Sequence, residues 1–305
     1  MQNKTRKWIY VILIVVFVAS VLMLVQNTME SKRAEEARRL AEEMAQMTTT
    51  AEATTEPQPE TTEEVTTEAV VETIVPENGD PYYADEYTTE LKKMNLEVLQ
   101  EQNPDILGWI MIPDSLLSYP YLQGEDNDYY LNHTWEHEAS TAGSIFLEHL
   151  VSGDLSDYNT IIYGHRMRDK SMFGNLTYFK EPDYLEKHPH VYLVNNEGCY
   201  TYRVFSAHEA GVTTQTYRIG EVDDEGRQQY IDWAMDHSVI ETGVEPTTDQ
   251  RILTMVTCTG KGYDARWVVQ AYLVGVDPMT DMDRVAAKET TENEINESAE
   301  PKEAE

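Results

Sequence analysis

Apolar and polar positions change rhythm several times along this chain. Trp8 to Val25 is an uncharged, mostly apolar run, about 27 Å long as a helix and so able to cross a bilayer core. Lys4, Arg6 and Lys7 precede it and no small-residue cleavage pattern follows. The pattern therefore predicts a transmembrane signal anchor over 8–25, with residues 1–7 cytoplasmic and the remainder outside. Residues 26–47 are rich in strong helix formers, with Glu and Arg three and four apart, and predict a helical stalk. Residues 48–80 are Thr, Glu, Pro and Val with almost nothing to bury, which predicts a disordered linker extended by like-charge repulsion.

The rhythm then becomes that of a folded unit. Leu91, Met94 and Val98 follow i, i+3, i+7 and predict an amphipathic helix over Glu86–Gln102, stopped by Asn103-Pro104. From Gly108 onward short apolar runs alternate with turn residues. Strands are predicted at Trp109–Ile112, Leu116–Leu122, Gly143–Leu147, Tyr158–Tyr163, Val191–Val194, Tyr200–Ala207, Arg251–Thr257 and Arg266–Val276. Two helical interruptions are expected, Ser171–Phe179 and about Gln228–His237. Eight short strands with few helices point to a mainly β fold, a barrel or a sandwich, over residues 81–278. Residues 279–305 turn polar and acidic and predict a disordered tail.

Composition narrows the functional classes. The 305 residues carry a formal charge of −32, which argues against a nucleic-acid partner. Much of it is solvated linker: residues 48–80 hold nine acidic and no basic side chains. Only Cys199 and Cys258 occur, with no CxxC, so neither a disulfide framework nor a zinc knuckle is indicated. A single Cys199–Cys258 bridge is the competing structural explanation, although Cys199 reads more simply as a half-buried strand residue. The pairs His133/His137 and His188/His190 lack HExxH or a third ligand at metal spacing, so no metal and no cofactor is expected.

The candidate chemistry sits at strand ends. Arg251-Ile-Leu-Thr-Met-Val-Thr-Cys258 delivers a cysteine to the end of an apolar run, Asn159-Thr-Ile-Ile-Tyr-Gly-His165 delivers a histidine in the same way, and Arg266 opens the next strand. A thiol of pKa about 8.5 attacks carbonyls only as the thiolate. An imidazole can take its proton and return it to a leaving amine. A guanidinium stays charged and can stabilise an oxyanion. The three residues are the expected catalytic set.

These residues carry a resemblance. Thr254-Met-Val-Thr-Cys258 resembles the Thr-Leu-x-Thr-Cys motif of class B sortases, membrane-anchored cysteine transpeptidases of Gram-positive bacteria. Tyr163-Gly-His-Arg-Met167 is similar to that family's histidine context, and Arg266 to its arginine. Further likeness runs through Asn103–Pro113, Asp126-Asn-Asp-Tyr-Tyr-Leu131, Gly143-Ser-Ile-Phe146 and Met172-Phe-Gly-Asn-Leu176. Met255 replaces the motif's Leu at similar volume, and Val256 stands where Ser is frequent. The resemblance implies an eight-stranded sortase barrel with added helices. Cys258 would be the nucleophile, His165 the general acid/base and Arg266 the oxyanion donor. Asn127, Leu131, Tyr163 and Thr257 would line the substrate groove. The implied partners are surface proteins or pilins bearing a C-terminal sorting signal, cut after Thr, with a peptidoglycan-precursor or lysine amine as acceptor. Two other readings stay open: a cell-wall cysteine hydrolase and a non-catalytic tethered binding domain. Papain-like enzymes place Cys before His, the reverse of the order here.

Overall fold

The computed structural model describes residues 79–220, 222–258 and 264–287, a helix over residues 35–45, and scattered helical positions before it. Most of the predicted span 8–25, residues 48–78 of the predicted linker 48–80 and residues 288–305 of the predicted tail 279–305 lie outside the described residues. Among the described residues no helix is long and apolar enough to cross a membrane.

Eight strands close a barrel: β1 (Ile106–Met111), β2 (Ser118–Leu122), β3 (Ile145–Leu147), β4 (Asn159–Tyr163), β5 (His190–Asn195), β6 (Gly198–Gly211), β7 (Ile252–Cys258) and β8 (Ala265–Pro278). Their order around the barrel is β1-β2-β3-β4-β7-β8-β6-β5. Inward positions such as Ile110, Tyr121, Ile145, Ile162, Leu193, Tyr202, Met255 and Val269 form the core. Two pairs are parallel, β2 with β3 and β4 with β7; the others are antiparallel. Strands β4 and β7 are covered on both faces, which is why their sequences read as unbroken apolar runs rather than alternating ones.

Towards the two ends of the chain the helices differ from the sequence expectation in three places. The predicted helix Glu86–Gln102 is two helices, α2 (Glu86–Leu91) and α3 (Leu96–Gln102). Lys92, the C-cap of α2, keeps a helical backbone and pairs with Asp277 at 2.9 Å and Asp283 at 3.0 Å; the chain leaves the helical path at Asn95, whose N–H donates to the carbonyl of Ala45. That carbonyl belongs to α1 (residues 35–45), which lies on the barrel where a projecting stalk was expected. It buries Ala37, Ala41 and Ala45 at four-residue spacing, and the Trp135 indole N–H donates to the Ala37 carbonyl at 2.9 Å. The third difference is at the other terminus. Residues 281–287, expected to begin the disordered tail, form a further helix held by the same Lys92–Asp283 pair.

The segment predicted as helical over Ser171–Phe179 is a 3₁₀ turn, Phe173–Lys180, followed by the short α4 (Pro182–Lys187). Helix α5 (Asp224–His237) begins four residues before its expected start, because Asp223 caps it by accepting from the Gly226 N–H at 2.9 Å.

Candidate active site

Backbone register alone brings the three strand-end residues together. Strands β4 and β7 run parallel with Tyr163 opposite Val256, and the Gly164 N–H donates to the Val256 carbonyl at 3.2 Å. From that pair, His165 lies two residues beyond the end of β4 and Cys258 is two residues on, the last residue of β7. Strand β8 runs antiparallel to β7 and pairs Arg266 with Cys258. Alternation sorts the faces. Ile162, Met255 and Trp267 belong to the barrel interior, whereas Ile161, Val256 and Val268 cluster outside it with Ala210. His165, Cys258 and Arg266 fall on positions of the outer set. Of Cys258 the structure describes the backbone.

The histidine is oriented by a loop. Asp126 accepts from the backbone N–H groups of Asp128 and Tyr129, both at 2.9 Å, and so folds the turn Tyr129–Leu131. Those two bonds also hold its carboxyl below the usual range. Tyr130 anchors the turn: its hydroxyl donates to Asp105 at 2.7 Å and accepts from the Asn103 amide at 3.0 Å. Gly143 lets the strand after the loop pass close by. It has φ +58°, and a Cβ there would come within 2.5 Å of the Tyr130 carbonyl and 2.6 Å of the Leu131 carbonyl. The Leu131 carbonyl then meets His165 Nε2 at 2.7 Å. A carbonyl only accepts, so Nε2 carries the proton and Nδ1 is the nitrogen left to exchange one. Gly164 is required on the other side, since a Cβ would come within 2.8 Å of the Phe173 ring.

Asn127, Leu131 and Tyr163 meet on the loop side of this corner. Tyr163 donates to Glu148 at 2.9 Å, and Asn127 Nδ2 donates to the same oxygen at 2.7 Å. Burial, then the adjoining Glu148 carboxylate, pushes the Tyr163 phenol well up, with the Arg266 charge acting weakly in the opposite sense. Thr257 does not join them. It is 2 % exposed, lies on the inward parity opposite Trp267, and its Oγ1 has no hydrogen-bond partner among the described residues.

On the outer face of β4, β6, β7 and β8, Ile161, Ala210, Val256 and Val268 form a buried apolar cluster, covered by the partly buried Tyr163, Tyr217, Ile219 and Trp233. Helix α5 supplies the far wall. A buried polar set fastens it: Thr254 donates to Asn159 at 2.7 Å, shares a 3.0 Å hydrogen bond with the Tyr230 hydroxyl, and Gln270 donates to that hydroxyl at 2.6 Å. Asn159 in turn donates to the carbonyls of Thr216 and Arg218. The first threonine of Thr254-Met-Val-Thr-Cys258 therefore fastens a wall of the groove. Sequence reasoning missed Glu148, Tyr230, Tyr217 and Trp233. Only the motif position of Thr254 and the helical pattern before β7 hinted at this wall.

The remaining polar candidates have structural roles. Cys199 is a free, fully buried thiol, pushed well up by burial, so the Cys199–Cys258 bridge does not form. His133 stacks on Tyr129 at 4.1 Å, and His137 lies 3.2 Å from the Tyr129 hydroxyl. His188 bonds to the Pro113 carbonyl. Among the described residues no three His, Cys, Asp or Glu side chains converge as metal ligands do.

Comparison with known proteins bears on the family and the fold. The family model described as the sortase domain matches residues 110–274. Sortase B of Listeria monocytogenes is 36% identical over 210 residues, covering 67% of this chain and 85% of that protein. The solved structure of a Staphylococcus aureus sortase B–substrate complex is 35% identical, with a TM-score of 0.57 over 60% of this chain and 85% of that one. Sortase B of Clostridium perfringens is 28% identical, with a TM-score of 0.56 over 59% of this chain and 100% of that one.

Proposed function

This chain belongs to the sortase family, a cysteine transpeptidase of the sortase B kind, and from that premise we propose that it cuts a C-terminal sorting signal after a threonine and joins the new carboxyl end to an amine. The observation that carries the reading is the register that sets His165, Cys258 and Arg266 at one level, at the end of the outer apolar cluster.

The chemistry follows from the parts. His165 Nδ1 takes the Cys258 proton or pairs with the thiolate, while Nε2 stays fixed on the Leu131 carbonyl. The thiolate attacks the threonine carbonyl carbon, and the Arg266 guanidinium receives the charge that develops on oxygen. The C–N bond breaks, the leaving amine takes the proton from His165, and a thioester remains on Cys258. An incoming amine attacks the thioester and gives its proton to His165, and the C–S bond breaks to return the thiolate. Asn127, Leu131 and Tyr163 bind the signal beside the histidine, and the partly buried Tyr217, Ile219 and the α5 residue Trp233 bind its apolar side chains. The client is a surface protein or pilin, and the acceptor a peptidoglycan-precursor or lysine amine. Residues 8–25 tether the enzyme in the membrane, with the catalytic domain outside, and residues 48–80 give it reach.

The test uses the full-length chain in detergent with peptides varied around a Thr–Gly or Thr–Asn bond, with and without a primary amine, read by mass spectrometry. Cleavage after Thr with the amine joined to the new end is the expected result. Free acid as the only product at every amine concentration would overturn transfer in favour of hydrolysis.

A further inference from the structure

One buried group beside the site takes no part in the reaction above. Glu148 follows β3, and its side chain is 11 % exposed. Its Oε2 accepts from Asn127 Nδ2 at 2.7 Å and from the Tyr163 hydroxyl at 2.9 Å, and its Oε1 lies 2.8 Å from His149 Nδ1. The Asn127 Oδ1 accepts from the His149 backbone N–H at 3.0 Å. A carboxylate only accepts and a backbone N–H only donates, so the orientation of the Asn127 amide is unambiguous. One Nδ2 hydrogen and one Oδ1 lone pair remain for a ligand.

Three separate segments meet at this carboxylate: the loop that carries Leu131, the end of β3, and the strand that ends in the histidine. Tyr163 is the residue before His165 on the same face, level with Val256 of the outer apolar cluster. Charge-assisted bonds are shorter and stronger than neutral ones, and a low-dielectric setting strengthens them further. The carboxylate thus ties a half-buried amide on one side of the groove to the strand that presents the histidine. It has no place in the proton path proposed above, which runs through Nδ1 of His165 while Nε2 is held by the Leu131 carbonyl.

We propose that Glu148 is a positioning residue for the sorting signal: it holds Asn127 and Tyr163 as one rigid wall, so that the remaining Asn127 N–H meets a carbonyl oxygen of the bound peptide. The inference rests on the transpeptidase reading, since it names part of that enzyme's peptide site. It separates binding from chemistry. Losing the tie lets Asn127 choose among rotamers and weakens peptide binding, while the thiol, imidazole and guanidinium stay where strand register puts them.

The experiment measures KM and kcat on the full-length chain with the best-cleaved peptide of the Thr–Gly or Thr–Asn panel. Glu148→Leu should raise KM about tenfold with kcat within about twofold. Glu148→Gln should recover most of the loss, because both donors address one oxygen and a glutamine can present its own oxygen there. On an Asn127→Ala background, Glu148→Leu should add less than about twofold to KM, the signature of two residues acting as a unit. Independent, multiplying effects of the two substitutions would overturn the proposal. So would a fall in kcat with a shifted pH–rate profile in Glu148→Gln, which would make Glu148 an electrostatic partner of His165. If Glu148→Leu fails to fold, the glutamine variant and the cycle with Asn127→Ala still decide. Absence of peptide cleavage by the wild-type chain sinks the transpeptidase reading itself, a result distinct from cleavage that is indifferent to Glu148.

Discussion

The catalytic corner and the walls of its groove are held by different forces. At the proposed catalytic corner, His165 follows β4, Cys258 ends β7 and Arg266 opens β8, and their level is set by ladders of backbone hydrogen bonds. Such a register is fixed by every inward-facing side chain along the strands, so one substitution at the corner changes chemistry without moving the frame. The walls rest on a few side-chain bonds: Leu131 through its 2.7 Å contact to His165, and α5 through Thr254, Tyr230 and Gln270. Each can be cut singly. Corner substitutions should therefore abolish turnover in a folded protein, whereas wall substitutions should trade affinity, geometry or stability in graded amounts.

The sharpest break is at the corner. Cys258→Ala should lower turnover of the sorting peptides by about 10⁴-fold or more, and His165→Ala nearly as far, with thermal midpoints within about 2 °C of wild type. Activity within tenfold of wild type in Cys258→Ala would remove Cys258 as nucleophile. Arg266→Lys should cost about 10²–10³-fold in kcat, because an ammonium does not reproduce the guanidinium fork facing an oxyanion. A lysine variant with normal kcat would show that positive charge alone suffices and that the fork is dispensable.

A loop-wall change comes next. Gly143→Ala places a methyl against the Tyr130 and Leu131 carbonyls at a backbone angle that alanine resists. The Leu131 carbonyl must move off His165 Nε2, and a displacement of about 1 Å can cost about 10²-fold in kcat. Kinetics combined with the Nε2 proton resonance of His165 checks it: the loss should accompany a shift or broadening of that signal. Unchanged kcat with a perturbed resonance would mean that the Leu131 contact orients nothing that matters to turnover.

This contrast explains what could be read in the sequence. The strands were legible because those covered on both faces write themselves as apolar runs, and Cys258, His165 and Arg266 became candidates because they stand at the termini of such runs. A spacing of ninety-odd residues between histidine and cysteine says nothing of contact until the parallel pairing of β4 with β7 is known, so the resemblance of motifs supplied what local pattern could not. The walls were not legible. Glu148 follows an apolar strand as an ordinary acidic residue, and its importance lies in Asn127 and Tyr163, twenty-one positions before it and fifteen after it. Thr257 shows the opposite error. Adjacent in sequence to the cysteine, it belongs by alternation to the other face of β7 and is buried against the barrel interior. The helix formers of α1 were visible, but a projecting stalk and a docked helix share them. The burial of Ala37, Ala41 and Ala45, the Trp135 bond to Ala37 and the Asn95 bond to Ala45 distinguish the two.

The smallest expected effect concerns the α5 wall and pH. His208 is fully buried behind the groove, edge-on to Trp233 at 5.1 Å. Ser206 donates its hydroxyl proton to the Ala234 carbonyl at 2.7 Å, so at 3.1 Å it must accept from His208 Nδ1, which leaves Nε2 to accept from Thr216 at 3.3 Å. The neutral ring is thus fully satisfied. Burial first, and the charge of His237 second, bring its pKa down to about 4. The folded value lies below the unfolded value of about 6.5, so the unfolded chain binds the extra proton between those limits. Stability contributed by neutral His208 is complete above pH 6.5 and lost as pH falls towards 4, by at most about 3 kcal/mol. Urea unfolding at pH 7 and pH 5 should show a smaller acid loss in His208→Gln than in wild type. Because Trp233 leans on this ring, KM for the sorting peptide should rise between pH 6.5 and 5 in wild type, and rise less in the variant. Equal acid losses in both proteins would mean that carboxylates elsewhere set the acid limit and that the α5 wall is as insensitive to pH as the strand frame beside it.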